Sequence, residues 1–132
     1  MKTKFLLFII SCFALLQAQA QQTKKESLIL TCSKEKILEF KNIQELLSDA
    51  DTTKDYSKYT IVSFFLITNL ENLDLSKYAN GDKWSEEQKI LIKKTYKYKK
   101  HRYYIENIVA TQEGQTEKIK LPDVLIIGQD KK

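Results

Sequence analysis

The sequence predicts an α+β fold that is mostly β: a small antiparallel sheet or sandwich with two short helices, preceded by a signal peptide. Residues 59–68 are almost wholly β-branched or aromatic, which is typical of a strand. Residues 43–49 and 85–94 each combine helix-capping residues with apolar residues at helical spacing. The N-terminus joins a basic start to a short apolar run, as secretory signals do.

The segment 1–20 is predicted to be the signal peptide. Lys2 and Lys4 precede an apolar run over residues 5–16, and an Ala-x-Ala pattern ends at Ala20, where we expect cleavage. The run is too short to cross a bilayer, which takes about 20 apolar residues, so we expect no transmembrane segment in the mature chain. The protein is therefore expected to be exported, to the periplasm, the cell surface or the medium.

A second processing route stays open at Cys12. Residues 9–12 read Ile-Ile-Ser-Cys and resemble the lipobox of bacterial lipoproteins, in which the cysteine is acylated and becomes the new N-terminus. This route would shorten the apolar core to residues 5–11, at the lower end of the usual length of a signal core. Cleavage after Ala20 fits that length better.

Cleavage after Ala20 would leave 112 of the 132 residues, which is enough for one domain but not for two. We place a flexible polar leader at residues 21–26 and a single domain at residues 27–128. The net charge falls from +5 to +3 because two lysines leave with the signal. Cys32 then has no partner in the mature chain, so packing rather than an internal disulfide must stabilise the fold.

The first half of the domain is expected to alternate strands and helix. Residues 27–32 are short and apolar, like a buried strand, although their periodicity also fits a helical turn, and residues 37–40 could form a second strand. Asn42, with Glu45 three residues later, resembles a capping box at the start of the helix over residues 43–49.

Residues 59–68 are the strongest predicted strand. Both faces of this strand are apolar, with Phe65 and Ile67 on one and Phe64 and Leu66 on the other. A strand that is buried on both faces reads as a continuous apolar run. We therefore expect it to be central in the sheet and covered on both sides.

The second half is expected to begin with a long loop at residues 69–82. Ser85 and Gln88 then form a capping box for the helix at 85–94, whose apolar side includes Ile90.

Three further segments complete the predicted sheet. A strand at residues 101–111, a hairpin turn at Gly114 and a return strand at 119–127 follow the helix. Pro122 interrupts the return strand, so we place it at an edge or a bulge.

The residues that usually carry catalysis are sparse. His101 is the only histidine, lies among basic residues that lower its pKa, and has no nearby carboxylate to orient it, so we expect it at the surface. One histidine and one cysteine in the mature chain do not make a zinc site, and three scattered glycines do not make a phosphate-binding loop. We predict no catalytic residues, no metal site and no cofactor, and a protein that is not an enzyme.

The basic segment, residues 93–104, is the candidate binding region. Six basic and no acidic residues fall within residues 93–102, which leaves 14 basic and 17 acidic residues in the rest of the mature chain. The candidate binding residues are Lys93, Lys94, Tyr96, Lys97, Tyr98, Lys99, Lys100 and Arg102. The segment is either a solvated helix end or a site for an anionic partner such as a polysaccharide, a lipid head group or an acidic protein. No nucleic acid is expected, because the protein is exported and carries no recognised nucleic-acid motif.

Several segments match a known family in order. They are residues 59–68 with Val62-Ser63-Phe64, Gly81, residues 90–94, residues 103–110, the turn at Gly114, and Lys120-Leu121-Pro122 leading into residues 124–127. In these segments the chain resembles the C-terminal domain of the gliding-motility protein GldM, a component of the type IX secretion machinery of Bacteroidetes. The sequence departs from the family at residues 98–100, where the family tends to have a glycine turn.

The resemblance implies a β-rich periplasmic domain that contacts other proteins of the cell envelope and carries no catalytic residues. The matched segments do not include the transmembrane helix or the other periplasmic domains of the full-length family member, so the resemblance implies no motor role. Two hypotheses follow. The chain is either a non-catalytic interaction module with envelope proteins as partners, or an exported binding protein that captures an anionic ligand on the basic segment.

Overall fold

The computed structural model describes residues 27–130. The predicted signal peptide, the alternative processing site at Cys12 and the leader at 21–26 lie outside this range. The elements are β1 (Leu28–Ser33), α1 (Lys34–Glu39), α2 (Ile43–Ala50), a 3-10 turn (Tyr56–Lys58), β2 (Tyr59–Leu70), β3 (Leu73–Asn80), α3 (Glu86–Lys94), β4 (Lys100–Gln112), β5 (Lys118–Lys120) and β6 (Val124–Gln129). Strands predominate, which confirms the predicted α+β, mostly β class.

The strands form one open sheet in the order β1-β6-β4-β2-β3, with the short β5 also paired to β4. All pairs are antiparallel except β1 with β6, which run parallel. The predicted central strand, β2, lies between β3 and β4. β1 and β3 are the two edges of the sheet.

The helices pack on one face of this sheet. Tyr103, Ile105 and Ile126 are fully buried beneath them, as are Leu46 and Leu47 of α2. The buried Trp84 ties two parts of this layer together, because its Nε1–H donates to the Ile37 carbonyl at 2.9 Å. The core therefore lies between the sheet and one layer of helices.

The prediction of a strand at residues 37–40 is wrong, because residues 37–39 belong to α1 and Phe40 follows it directly. The side chain of Ser33 accepts a hydrogen bond from the Lys36 N–H and caps the helix, which then buries Ile37. Phe40, just after the helix, is also buried. The same apolar residues would suit a strand, but here they fill the core from a helical turn.

The prediction of a loop at residues 69–82 is also wrong, because this segment contains β3. Glu71 and Asn72 form a two-residue turn between β2 and β3, with φ of 54° and 67°. Left-handed conformations at both positions match the twist of a hairpin. No glycine marks this turn in the sequence, so the hairpin is easily read as a loop.

The expectation that β2 is covered on both sides is wrong as well. Phe64 and Leu66 are fully buried on the helix side, whereas Phe65 and Ile67 on the other side are only half-buried. A β-bulge near Val62 shifts the alternation, so Ile61 shares the buried face with Phe64. The sheet is therefore open on its second face.

The two predicted helices are confirmed as α2 and α3. The capping box of α3 is complete, since the Ser85 and Gln88 side chains each bond the other's backbone N–H. Ile90, expected on the apolar side, is 53% exposed, while Leu91 and Ile92 are buried. Within residues 27–130, none of the helices has the length and hydrophobicity needed to cross a membrane.

Candidate functional site

The face of the sheet turned away from the helices, here called the open face, carries a cluster of apolar and aromatic side chains. Successive side chains in a strand point to opposite faces, so the neighbours of the buried Tyr103 and Ile126 lie on it. Its apolar members are Ile29, Phe65, Ile67, Tyr78, Tyr104, Leu125 and Ile127.

Strand register places four of these side chains in one row across the sheet. Tyr104 pairs with Leu125 on one side and with Ile67 on the other, and Leu125 pairs with Ile29. Ile29 is 62% exposed and Tyr104 is 37% exposed, while Leu125 and Ile67 are half-buried. Directly paired side chains lie close enough to touch, so the row is a continuous apolar band.

A second, aromatic pair extends this band toward the β3 edge. Phe65 pairs with Tyr78, and their ring centroids lie 5.2 Å apart. Tyr78 is 50% exposed. Aromatic pairs at this separation stabilise each other while leaving one ring surface available for contact.

Basic residues lie at both ends of the open face. At one end, Lys100 and Arg102 are exposed, and Arg102 pairs with Ile127. At the other end, Lys118 and Lys120 flank the core-facing Ile119, and both are exposed. Acidic residues share this border, since Glu106, paired with Phe65, lies between Tyr104 and the two β5 lysines, and Asp74 lies beside Lys100 in the adjoining groove. The apolar band is therefore bordered by charges of both signs.

A groove with a cavity volume of about 510 Å³ lies where β2 ends and β4 begins. Lys100, Arg102 and Tyr104 line it together with Asn69 and Asp74. Asn69 donates a side-chain hydrogen bond to Asp74 at 3.2 Å. The groove therefore offers two cations and an aromatic ring, with one carboxylate at its rim.

His101 also lines this groove, although it lies two residues before the buried Tyr103 and so shares the helix-side face of β4. The Thr68 hydroxyl donates to the Arg102 carbonyl at 2.7 Å, so it can only accept from His101 Nε2, which also lies 2.7 Å away. The imidazole stacks on the ring of Tyr98, with centroids 5.2 Å apart. His101 is thus half-buried, not at the surface as its sequence position indicated.

The pKa of His101 is lowered from its ordinary value. Burial is the largest cause, because it disfavours the charged imidazolium. A hydrogen bond to the Asn69 backbone opposes the change, and the nearby charge of Lys34 adds to it. A neutral imidazole in contact with Thr68 and Tyr98 fits a packing role.

The candidate binding residues of the basic segment do not form one surface. Lys93 and Lys94 are exposed at the end of α3, and Lys99 is exposed in the turn before β4. Tyr96 is half-buried against the core, where burial raises its pKa. Only Lys100 and Arg102 reach the groove.

Lys97 and Tyr98 have partners within the fold. Lys97 Nζ lies 3.7 Å from Glu71 Oε1 and 5.4 Å from the centroid of the Tyr98 ring. Tyr98 in turn stacks on His101. These contacts lie between the turn before β4 and the β2–β3 hairpin, so both residues have partners within the fold.

Cys32 is free and half-buried, and its pKa is raised, chiefly by burial. Among residues 27–130, no group of three or more histidine, cysteine or carboxylate side chains lies close enough to hold a metal ion. In the turn after α2, Asp51 accepts hydrogen bonds from Thr53 and Tyr56, so its carboxylate already has partners.

No family model matches the sequence, and no curated protein matches it. The resemblance to the GldM C-terminal domain therefore rests on the segments quoted above.

The sequence indicated the basic end of the site and missed its apolar centre. Phe65 and Ile67 were recognised as apolar but were expected beneath a second layer. The predicted loop at residues 69–82 includes Tyr78, which lies on β3. The alternation of Leu73, Leu75 and Ala79 with polar residues was the signal that could have revealed the edge strand.

Proposed function

We propose that this chain is a non-catalytic, exported protein-interaction module of the bacterial cell envelope, and that it contacts its partner through the open face. The observation that carries the proposal is the continuous apolar row from Ile29 to Ile67, which no described element covers. Monomeric proteins rarely expose a large contiguous apolar patch with a polar rim unless it binds something.

The charges around the row indicate the chemistry of the partner. At one end Lys100 and Arg102 lie beside Asp74, and at the other end Glu106 comes before Lys118 and Lys120. Interfaces commonly have an apolar core with a charged rim, and the rim charges favour a partner of opposite sign. The partner is therefore a protein surface with an apolar centre and a rim that carries both acidic and basic groups.

The envelope setting is supported by the predicted signal peptide and by the resemblance to GldM. Two of the matched residues, Gly81 and Gly114, have φ of 108° and 78°, where glycine is the favoured residue. The matched segments fall on β2, α3, β4 and β6, so the resemblance follows the elements of the fold.

A pull-down from envelope extracts in low and high salt tests the proposal. A contact made by apolar packing persists as the salt concentration rises, because salt screens charges and not apolar burial. The expected result is a discrete protein that is retained in high salt by the natural sequence and lost by Tyr104→Glu. Retention by Tyr104→Glu at the natural level would contradict the proposal.

An exported binding protein for an anionic ligand is the second candidate, favoured by the groove. Lys100 and Arg102 converge there beside the Tyr104 ring, which is a suitable setting for a sulfated or carboxylated sugar. Titration with heparin fragments, followed by tryptophan fluorescence or NMR, would show binding that Arg102→Gln weakens and salt abolishes. Unchanged binding in Arg102→Gln would exclude this groove.

A further inference from the structure

The outer edge of β1 presents backbone hydrogen-bonding groups without partners among the described residues. The Leu28 N–H donates to the Asp123 carbonyl at 2.8 Å, on the β6 side. The backbone groups of successive residues in a strand point to opposite sides. Ile29 and Thr31 therefore direct both N–H and C=O away from β6, and no described strand lies there.

This edge lacks the features that usually protect an edge strand. β1 reads Leu-Ile-Leu-Thr-Cys-Ser and carries no charge, proline or glycine. The opposite edge, β3, carries Asp74 and Lys77. Charged side chains on an edge discourage pairing with another chain, so β3 is protected and β1 is not.

We propose that β1 pairs antiparallel with β1 of a second copy of this chain, about a two-fold axis through Leu30, and joins the two sheets into one. In this register Ile29 faces Thr31 of the second copy. Their N–H and C=O groups then make four hydrogen bonds across the axis. The carbonyl of Ser33 does not take part, because Ser33 is the N-cap of α1 and its C=O accepts within the helix.

The side chains of the edge are compatible with self-pairing. A two-fold contact requires a patch that is complementary to itself. About Leu30, the two Leu30 side chains face each other and Leu28 faces Cys32 of the second copy, so no charged side chain of β1 meets another. Cys32 does not face Cys32 of the second copy, so no disulfide forms between the two chains.

Pairing at β1 would also join the two open faces. Ile29 ends the apolar row at this edge of the sheet. In the dimer it would face Thr31 of the second copy and lie diagonally across the axis from the second Ile29, so the two rows would meet there with an offset of two residues. The pairing itself uses backbone groups and is independent of the proposed function, and its test does not require the envelope partner.

Sedimentation analysis of the mature protein tests the proposal, with two proline variants as a matched pair. Thr31→Pro removes an outward N–H from β1 and keeps every hydrogen bond to β6. Ser76→Pro removes an outward N–H at the protected edge. Leu70 and Leu73 form the hydrogen-bonded pair next to the hairpin turn, and hydrogen-bonded pairs alternate with non-hydrogen-bonded ones along the strands. Ser76 therefore belongs to a non-hydrogen-bonded pair, and its N–H points away from β2.

The natural sequence is expected to dimerise with or without reducing agent, and Ser76→Pro is expected to do the same. Thr31→Pro should weaken the dimer by about a hundredfold, because two of the four hydrogen bonds are lost and the ring obstructs the approach. A monomeric natural sequence, or a dimer equally strong in Thr31→Pro, would overturn the proposal.

A disulfide trap keeps the test decisive if Thr31→Pro folds poorly. In a Cys32→Ser background, Leu30→Cys should form a covalent dimer under mild oxidation, because facing residues in a non-hydrogen-bonded pair have a Cα separation that a disulfide accepts. Leu28→Cys in the same background should not, since it faces position 32. Equal trapping at both positions, or none at position 30, would refute the register.

Discussion

Lys34 Nζ lies 2.7 Å from Asp130 Oδ1, and this contact joins the start of α1 to the residue after β6. Lys34 is 1% exposed, and its ammonium also donates to the Tyr96 carbonyl at 2.7 Å. A buried charge needs such partners, because an unpaired one is costly to remove from water. The C-terminal end of the described chain thus helps to hold α1 on the sheet.

Asp130→Ala is expected to lower the free energy of unfolding by about 1–2 kcal/mol, which is less than a fully buried pair would lose. Asp130 is 59% exposed, so solvent screens the pair, and the Tyr96 carbonyl still binds Lys34. Urea denaturation measures the change. Asp49→Ala removes the exposed ion pair with Lys36 and should change the stability by no more than about 0.5 kcal/mol. Equal losses in the two variants would contradict the role given to Lys34.

His101 should titrate below its ordinary pKa of about 6.5. Because it is the only histidine, its ring protons can be followed by NMR without ambiguity. The unfolded state binds the proton of His101 more tightly than the folded state does. The contribution of neutral His101 to the free energy of unfolding is therefore fully present above about pH 6.5 and is lost as the pH falls through the folded-state pKa. His101→Gln should lose less stability over the same range. A pKa at or above 6.5 would show that the imidazole is not desolvated.

Neighbouring positions on β4 should respond very differently to truncation. Ile105 is fully buried, so Ile105→Ala should destabilise the fold by about 2–5 kcal/mol. Tyr104, one residue earlier, lies on the open face, and Tyr104→Ala should cost less than about 1 kcal/mol. Thermal and urea unfolding of the two variants measure this difference. A large loss at Tyr104 would mean that a second layer covers this face.

The β2–β3 turn can be improved by substitution. Glu71 and Asn72 both have positive φ, which glutamate adopts at a cost. Replacing the pair with Asn-Gly, through Glu71→Asn and Asn72→Gly, should raise the stability by about 1 kcal/mol even though the exposed ion pair with Lys97 is lost. The same change would lower the stability if the segment were an open loop, because Gly adds chain entropy.

The sequence allowed prediction of those elements whose signals are local. Residues 59–68 form a strand in almost any context because of their β-branched and aromatic content. Ser85 with Gln88 fixes the start of α3 through side chains three residues apart, and Asn42 does the same for α2 by accepting from the Glu45 N–H.

Distant contacts decided the remaining elements. Residues 37–40 suit a strand or a helical turn, and the helix is favoured by the burial of Ile37 and by the hydrogen bond from Trp84 to its carbonyl. A bulge at Asn107, with φ of 52°, reverses the alternation in β4, so Ile105 and Ile108 share the buried face. The apolar run of β2 shows that both of its faces are hydrophobic, but it does not show whether a second layer covers them.

Photo-crosslinking in the cells that make the protein tests the central claim most directly. A photoreactive phenylalanine analogue in place of Tyr104 probes the open face, and the same analogue in place of Lys93, exposed on α3, is the matched control. The open-face account predicts a crosslink from position 104 to a discrete envelope protein and none from position 93. A crosslink from position 93 with none from position 104 would contradict it.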